Sequence, residues 1–240
     1  MVNPADAVKN KAERQQSAMG IVLELERLAF PGRRFMYEAM ERVLKDKDIT
    51  LTPVLFSRFG LCPALNKSLE GLLAAVGKKK LSADKLAAEI QEQYLRSVKK
   101  STVHLDPVIA TLLADVAKAK VRAGAISFLP ADVAQELVDR FGLKDAITLH
   151  VMAANAKGYL TPDGWLKLAK AMSLLPHRCV ALATSAVAFK SALVAGMRCV
   201  VVPDVYTCHQ DFGGADLVVE DCKELHAKDL LALLHPCAFR

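Results

Sequence analysis

Side chains able to bind or react with anions lie where three predicted strands end. In chain order they are Glu24, Glu26, Arg27, Ser127, Thr184 and Ser185. A guanidinium group binds phosphate or carboxylate through two parallel hydrogen bonds. Arg27, together with Lys157 in the loop after a further strand, could therefore hold a small phosphate- or carboxylate-bearing ligand without a metal ion.

The two carboxylates also have a purely structural interpretation. Charged side chains at strand ends commonly belong to structural ion pairs rather than to reactive sites. The candidate partners of Glu24 and Glu26 are the nearby cations Arg27, Arg33 and Lys157. The sequence leaves both interpretations open.

The hydroxyl side chains have a structural interpretation of the same kind. Ser127 could cap the turn that follows its strand, since serine hydroxyls often bind local backbone groups. Thr184 and Ser185 precede a predicted helix and could cap its first turn. The sequence alone does not decide between capping and ligand binding for these three residues.

The elements that position these residues are short apolar runs alternating with helical patterns. The runs predict strands at 20–25, 123–127, 147–152, 179–183, 199–202 and 217–219. The periodic segments predict helices near 107–116, 130–140, 161–172, 187–194 and 225–234. This alternation predicts an α/β fold with a Rossmann-like parallel sheet and helices on both faces. Ligands of such sheets lie at the carboxyl ends of the strands.

One stretch interrupts the alternation. From Phe35 to about Val103, apolar residues recur at helical spacing and no strand pattern occurs. We therefore predict an inserted all-helical domain over residues 34–104. The remaining residues, 1–33 and 105–240, would form the α/β core.

Composition excludes several classes of protein. The chain has 240 residues, of which 52% are hydrophobic, and this supports a sizeable core rather than a disordered chain. The N-terminal residues are polar and lack the apolar segment of a secretory signal. The most apolar stretch, 179–202, contains Lys190 and Arg198, so we expect no membrane span. A modest, scattered net charge of +6 does not point to nucleic acid. We expect a cytoplasmic protein with reduced cysteines.

Two segments carry a resemblance to a known family. Thr161-Pro-Asp-Gly-Trp165 at a helix start and Ala195-Gly-Met-Arg-Cys-Val-Val-Val-Pro203 across a strand resemble the haloacid dehalogenase-like (HAD) superfamily. The nearest branch is the phosphoglycolate phosphatase and β-phosphoglucomutase group. The similarity extends from Gly20 to about Leu225. It implies a Rossmann-like core with a helical cap, and phosphoryl transfer that uses Mg²⁺.

The first strand departs from the pattern of this family. The family has Asp-x-Asp-Gly there, in which the first Asp attacks the phosphoryl group and the second acts as general acid–base. This chain has Glu24-Leu-Glu26-Arg27, so each carboxylate is one methylene longer. A misplacement of roughly 1 Å can cost on the order of a hundredfold in rate. Arg27 would also compete with Mg²⁺ and occupy space needed by the phosphate.

The other family positions are matched only in part. Ser127 matches the Ser or Thr that holds phosphoryl oxygens. The family's lysine aligns with Tyr159, so that Lys157 would have to replace it from a shifted loop. Thr184 stands where the family has an acidic Mg²⁺ ligand before a serine. Mg²⁺ binding would therefore depend on Glu24 and Glu26 alone.

The resemblance leads us to favour a catalytically degenerate member, a pseudo-phosphatase. It would bind a small anionic ligand or a protein partner in the cleft between core and cap. The ligand-binding residues would be Arg27, Ser127, Lys157, Thr184 and Ser185. A protein that interacts only through its outer surface, without the cleft, is a further possibility.

The alternative is a working phosphomonoester hydrolase. In this alternative Glu24 replaces the usual Asp nucleophile and Glu26 acts as general acid–base. The phosphate would be held by Ser127 and Lys157. Mg²⁺-dependent turnover of small phosphate esters distinguishes it from the favoured hypothesis.

Overall fold

The strands of this protein form one parallel sheet. The computed structural model describes residues 18–62, 64–100, 102–152 and 160–234. Within them the strands are β1 Gly20–Glu24, β2 Arg122–Ser127, β3 Ile147–Val151, β4 Cys179–Ala183, β5 Arg198–Val201 and β6 Leu217–Val218. Their order is β3-β2-β1-β4-β5-β6, and every neighbouring pair is parallel. Each predicted strand is confirmed to within one residue at its ends.

The helices of the described residues cover both faces of the sheet. They are α1 Gly32–Lys45, α2 Pro53–Phe59, α3 Leu65–Ala75, α4 Ala83–Val98, α5 Pro107–Lys118, α6 Ala131–Arg140, α7 Pro162–Ala171, α8 Ala186–Val194 and α9 Ala227–Leu234. A π-helical turn over Leu25–Ala29 follows β1 directly. Side chains of β1 alternate between two apolar clusters, since Ile21 and Leu23 belong to one and Val22 to the other. The predicted two-sided α/β architecture is confirmed.

Helix starts are marked by caps that the sequence indicates. Asp106 begins α5, because its Oδ1 accepts a hydrogen bond from the backbone N–H of Val108 at 2.8 Å. Ser82 caps α4 by accepting from Lys85 N at 3.3 Å. Such side-chain acceptors satisfy donors that the first turn of a helix leaves unpaired.

The apolar stretch 179–202 is core, as predicted. It forms β4, α8 and β5, and the residues of β4 are all buried. No helix among the described residues is long and apolar enough to cross a membrane. The cysteines of the described part of the chain are all free thiols, and burial raises the pKa of Cys179 to about 12. The cytoplasmic location stays a prediction.

Helices α1 to α4, which we call the four-helix segment, follow one another without an intervening strand among the described residues. Arg140 at the end of α6 joins this segment to the rest of the fold. Its guanidinium donates to the carbonyl oxygens at the end of α4, those of Val98, Lys99 and Lys100. A cation is favourable there, because the carbonyls of a helix C-terminus carry partial negative charge. The domain bounds 34–104 stay a prediction.

A second contact joins the four-helix segment to the loop after β5. Tyr206 of this loop packs against Phe56 of α2, with ring centroids 4.7 Å apart, and against Tyr37 of α1 at 5.5 Å. Aromatic pairs at these separations contribute beyond the apolar area they bury. The segment therefore lies firmly against the carboxyl end of the sheet.

The strand order places the carboxyl ends of β1 and β4 at a topological switch point. The chain passes from β1 to β2 and β3 on one side, and then crosses to β4 and β5 on the other. A crevice opens at such a point in parallel sheets and is the usual place for a ligand. Glu24 ends β1 and Thr184 follows β4, so both lie at this crevice.

Gly32, the first residue of α1, lies in close contact with the backbone of the π-helical turn. A Cβ at Gly32 would clash with the backbone carbonyl oxygen of Glu26, which cannot rotate away. We expect Gly32→Ala to lower the free energy of unfolding by about 1–3 kcal/mol, as overpacking typically does. Chemical denaturation measures this loss.

Gly213→Ala is the matched control for that variant. A Cβ at Gly213 meets the flexible carboxylate of Asp211 at 3.1 Å. A change of less than about 0.5 kcal/mol is expected there. Equal losses in the two variants would contradict the assignment of the clash at Gly32.

Candidate active site

The predicted site residues of the described chain converge at the carboxyl ends of β1, β2 and β4. Glu24 ends β1 and Glu26 lies in the π-helical turn after it, Ser127 ends β2, and Thr184 and Ser185 follow β4. Glu24, Glu26, Ser127 and Thr184 are all buried. Lys157, predicted to replace the family's lysine, lies outside the described residues.

The carboxylate of Glu24 is fully engaged by its neighbours. Its Oε1 accepts hydrogen bonds from the backbone N–H of Thr184 at 2.8 Å and from Thr184 Oγ1 at 2.9 Å. Its Oε2 lies 3.3 Å from Nε of Arg27. The structural interpretation of Glu24 as an ion-pair partner of Arg27 is confirmed. Only 3% of Glu24 is exposed, so a reactant can reach it only if these contacts open.

Glu26 points away from Glu24 and towards the end of β2. Its Oε1 accepts from Ser127 Oγ and from the backbone N–H of Leu129, both at 2.9 Å, and also from the N–H of Phe128. Ser127 Oγ in turn accepts from Leu129 N at 3.1 Å, so its predicted turn-capping role is confirmed. Burial raises the pKa of Glu26. Hydrogen bonds from backbone N–H groups and from the Ser127 hydroxyl, together with the charge of Arg27, oppose that shift only in part.

Arg33 is the member of the site whose role the sequence did not reveal. Its guanidinium donates to Thr184 Oγ1 at 2.8 Å and pairs with the carboxylate of Asp204, which follows β5. Burial and the nearby Arg27 lower the pKa of Arg33, whereas Asp204 and Glu24 raise it. The sequence proposed Arg33 as a partner of Glu24 or Glu26, but its direct partners are Thr184 and Asp204. The position of Asp204 just after a predicted strand was the available signal.

Thr184 and Ser185 have different roles. Ser185 is the N-cap of α8 and accepts from Ala188 N at 3.4 Å, so the capping interpretation is confirmed for it. The same interpretation is wrong for Thr184. Its hydroxyl donates to Glu24 and accepts from Arg33, and thereby links the end of β1 to the start of α1.

A cavity of about 80 Å³ lies between these strand ends and the four-helix segment. Residues with polar side chains that line it include Glu26, Arg27, Arg33, Gln91 and Tyr94. Gln91 and Tyr94 belong to α4, and neither is among the site residues predicted from the sequence. Burial, with the nearby Glu26, raises the pKa of Tyr94, so its phenol is neutral.

The space beside Glu24 is much smaller. It measures about 20 Å³ and is lined in part by Arg27 and Ser185. A water molecule needs roughly 10–15 Å³ by this kind of measure. Among the described residues, the space beside Glu24 therefore holds about one water molecule.

The residues present do not fit the Mg²⁺ that the resemblance implies. Mg²⁺ prefers an octahedral set of oxygens that includes carboxylates. Glu24 and Glu26 diverge, and each oxygen of Glu24 and of Asp204 already has a partner. The cations Arg27 and Arg33 occupy the same region. Within the described ranges, no group of three or more His, Cys, Asp or Glu side chains could hold a metal ion.

Comparison with known proteins agrees with the predicted resemblance. Protein CbbY of Cereibacter sphaeroides is 29% identical over 153 residues, which are 61% of this chain and 66% of that protein. The match thus spans slightly less than two thirds of the relative's length. No protein-family model matches the chain.

Solved structures extend the comparison to the whole fold. The crystal structure of a CbbY variant from Rhodobacter sphaeroides, in complex with xylulose-(1,5)bisphosphate, matches with a TM-score of 0.72 at 19% identity, over 89% of this chain and 99% of that one. A haloacid dehalogenase-like protein from Agrobacterium tumefaciens matches with a TM-score of 0.73 at 16% identity, over 91% of this chain and 100% of that one. The chain has the haloacid dehalogenase-like fold. A β-phosphoglucomutase from Clostridium difficile also matches this HAD-like chain, with a TM-score of 0.71 at 18% identity, over 90% and 97% of the two chains. The resemblance predicted from the sequence, including that to phosphoglucomutase-like members, is confirmed.

The environment of Glu26 predicts a pH dependence of stability. A carboxyl group whose pKa is raised on folding binds its proton more tightly in the folded state. The stability of the wild type should therefore fall relative to Glu26→Gln as pH rises above the unfolded value of 4.5, and level off above the raised pKa. Glutamine imitates the protonated form, since its amide oxygen can accept the same hydrogen bonds.

Thermal melts of both proteins between about pH 4.5 and pH 8 measure this difference. Asp115→Asn is a suitable control, because Asp115 pairs with Lys118 on the exposed surface of α5. A difference that is independent of pH, or a wild type that gains stability relative to Glu26→Gln as pH rises, would contradict a raised pKa at Glu26.

Proposed function

We propose that this HAD-like chain is a pseudo-phosphatase that binds a small anion in the cavity beneath the four-helix segment. The single observation that carries the proposal is that the strand-end groups are satisfied by one another. Glu24 is held by Thr184 and Arg27, and Glu26 takes the donors at the end of β2. A transferring phosphoryl group would have to displace these contacts.

The state of Glu24 argues against nucleophilic chemistry. Attack requires a carboxylate oxygen about 3–3.5 Å from phosphorus and aligned with the leaving group. Both Glu24 oxygens are engaged, and the space beside them holds about one water molecule. Phosphoryl transfer also depends on positive charge around the transferring group. Arg33, one cation at these strand ends, is already bound to Asp204 and Thr184.

The state of Ser127 argues in the same direction. A serine hydroxyl and successive backbone N–H groups form a favourable anion-binding arrangement. Here the hydroxyl of Ser127 and the N–H of Leu129 both donate to Glu26 Oε1. The arrangement is therefore filled by a side chain of the protein itself.

The cavity supports binding of an anion. Arg27 lines both the cavity and the crevice beside Glu24, and its side chain is 17% exposed. Its Nε pairs with Glu24, and the donors of a guanidinium's terminal nitrogens suit phosphate or carboxylate. Tyr94 and Gln91 add neutral donors. The volume of about 80 Å³ limits the bound group to one small anion.

The comparison with CbbY guides the choice of probes. The matched CbbY variant holds a sugar bisphosphate. We infer that phosphate-bearing compounds are the first probes for this chain, together with small carboxylates. The protein partner that the sequence leaves open would compete with these probes if it bound at the cavity.

Hydrolysis tests the catalytic part of the proposal. We expect that an aryl phosphate and a panel of sugar phosphates, including xylulose-1,5-bisphosphate, are turned over no faster by the wild type than by Glu24→Ala, with or without Mg²⁺. The reason is that no displacement can begin while Glu24 is engaged. Mg²⁺-dependent turnover that Glu24→Ala abolishes would instead make Glu24 a nucleophile and the chain a phosphatase.

Binding tests the ligand part separately. Inorganic phosphate, titrated calorimetrically into wild type and Arg27→Met, is the simplest probe. Loss of a charge-assisted hydrogen bond costs about 1.5–3 kcal/mol, so affinity should fall roughly tenfold or more. Arg96→Met is the matched control, since Arg96 pairs with Glu92 on the exposed face of α4. Equal affinities in wild type and Arg27→Met would contradict an anion site at Arg27.

A further inference from the structure

We infer that the guanidinium of Arg33 is a resident cation that replaces a metal ion at the switch point of the sheet. It holds the ends of β4 and β5 directly and the end of β1 through Thr184. In this account the strand ends neither need nor bind a divalent cation. The inference does not depend on whether an anion binds in the cavity.

The guanidinium of Arg33 contacts residues that follow two different strands. One terminal nitrogen donates to Thr184 Oγ1 at 2.8 Å, and the other pairs with Asp204 Oδ2. Thr184 Oγ1 passes the connection on by donating to Glu24 Oε1 at 2.9 Å. A single planar group therefore connects residues at three strand ends, which is the task a bound cation would perform there.

The charged groups at the strand ends form two ion pairs. Glu24 and Asp204 supply two negative charges, and Arg27 and Arg33 supply two positive ones. Each of these two ion pairs is neutral without a further ion, and Glu26 binds the donors at the end of β2 instead. A divalent cation would leave an excess of positive charge among groups that are mostly buried, and burial of uncompensated charge is strongly unfavourable.

The ion pair of Arg33 with Asp204 connects α1 to the loop after β5. Arg33 is the second residue of α1, so the cation belongs to the four-helix segment rather than to the sheet. Asp204 is fixed from the other side, because its Oδ1 accepts from Tyr206 N at 2.9 Å and from Thr207 Oγ1 at 3.2 Å. Tyr206 packs on Tyr37 of the same helix. The ion pair and this aromatic contact together join α1 to the loop after β5.

Magnesium titration of the wild-type protein is the first test. We expect no saturable heat in calorimetry with magnesium chloride into the millimolar range. The melting temperature should be the same with magnesium as with a chelator. Saturable one-site binding that Glu24→Gln abolishes would overturn the inference. The magnesium titration is independent of the phosphate titration. A protein that does not bind phosphate would therefore leave the inference about Arg33 unchanged.

Substitution of Arg33 is the second test. Breaking a buried ion pair from one side typically lowers Tm on the order of 10 °C in a chain of this size, and we expect this of Arg33→Ala. Arg33→Lys keeps the charge without the fork and should lose only part of that amount. The neighbour Arg34 pairs with Glu38 on the surface, so Arg34→Ala should melt within about 2 °C of the wild type.

Removal of the Arg33 charge should also change how the melting temperature responds to added cations. Millimolar magnesium or guanidinium should raise the melting temperature of Arg33→Ala and leave that of the wild type unchanged. Equal shifts in both proteins, or an Arg33→Ala variant that melts like the wild type, would overturn the inference. If Arg33→Ala does not accumulate as folded protein, the magnesium titration of the wild type decides.

Discussion

A buried guanidinium must be surrounded by acceptors, because the cost of removing a charge from water is otherwise not offset. Arg33 is 7% exposed, and the acceptors of its two terminal nitrogens come from residues that follow β4 and β5, whereas its Nε has no hydrogen-bond partner among the described residues. This requirement fixes Thr184 and Asp204, and Thr184 in turn orients Glu24. The remaining pair, Arg27 with Glu24, completes the same group. The packing of α1 over the sheet therefore depends on the hydrogen bond and the ion pair that Arg33 forms.

The two glutamates near the end of β1 face different strands of the sheet. They lie two residues apart, yet the π-helical turn directs Glu24 towards β4 and Glu26 towards β2. Each then takes up donors that could otherwise face a ligand. A fold determines where side chains can meet, but function depends on the particular groups at that place. In this chain those groups bind one another, and the open space lies further out, beside Arg27 and Tyr94.

Most of the fold could be predicted from patterns that are local in the sequence. The buried strands are continuous apolar runs, and the caps Ser82, Asp106 and Ser185 lie next to the turns they satisfy. The Glu24–Arg27 pair is equally local. The Arg33–Asp204 pair is not, since 171 residues separate its members, and only the parallel sheet brings them together. Tyr94 likewise lies in the stretch where apolar residues recur at helical spacing, and only tertiary packing places it at the cavity.

A crystal structure of the protein grown with magnesium and aluminium fluoride would test the central claim most directly. The account predicts Arg33 between Thr184 and Asp204, Glu26 on the hydroxyl of Ser127, and no metal ion on Glu24. The opposite result would be a magnesium ion with a Glu24 oxygen at about 2.0–2.1 Å and a fluoride ligand at Ser127 in place of Glu26. Such a structure would show that the internal contacts open, and that the strand ends can assemble a phosphoryl-transfer site.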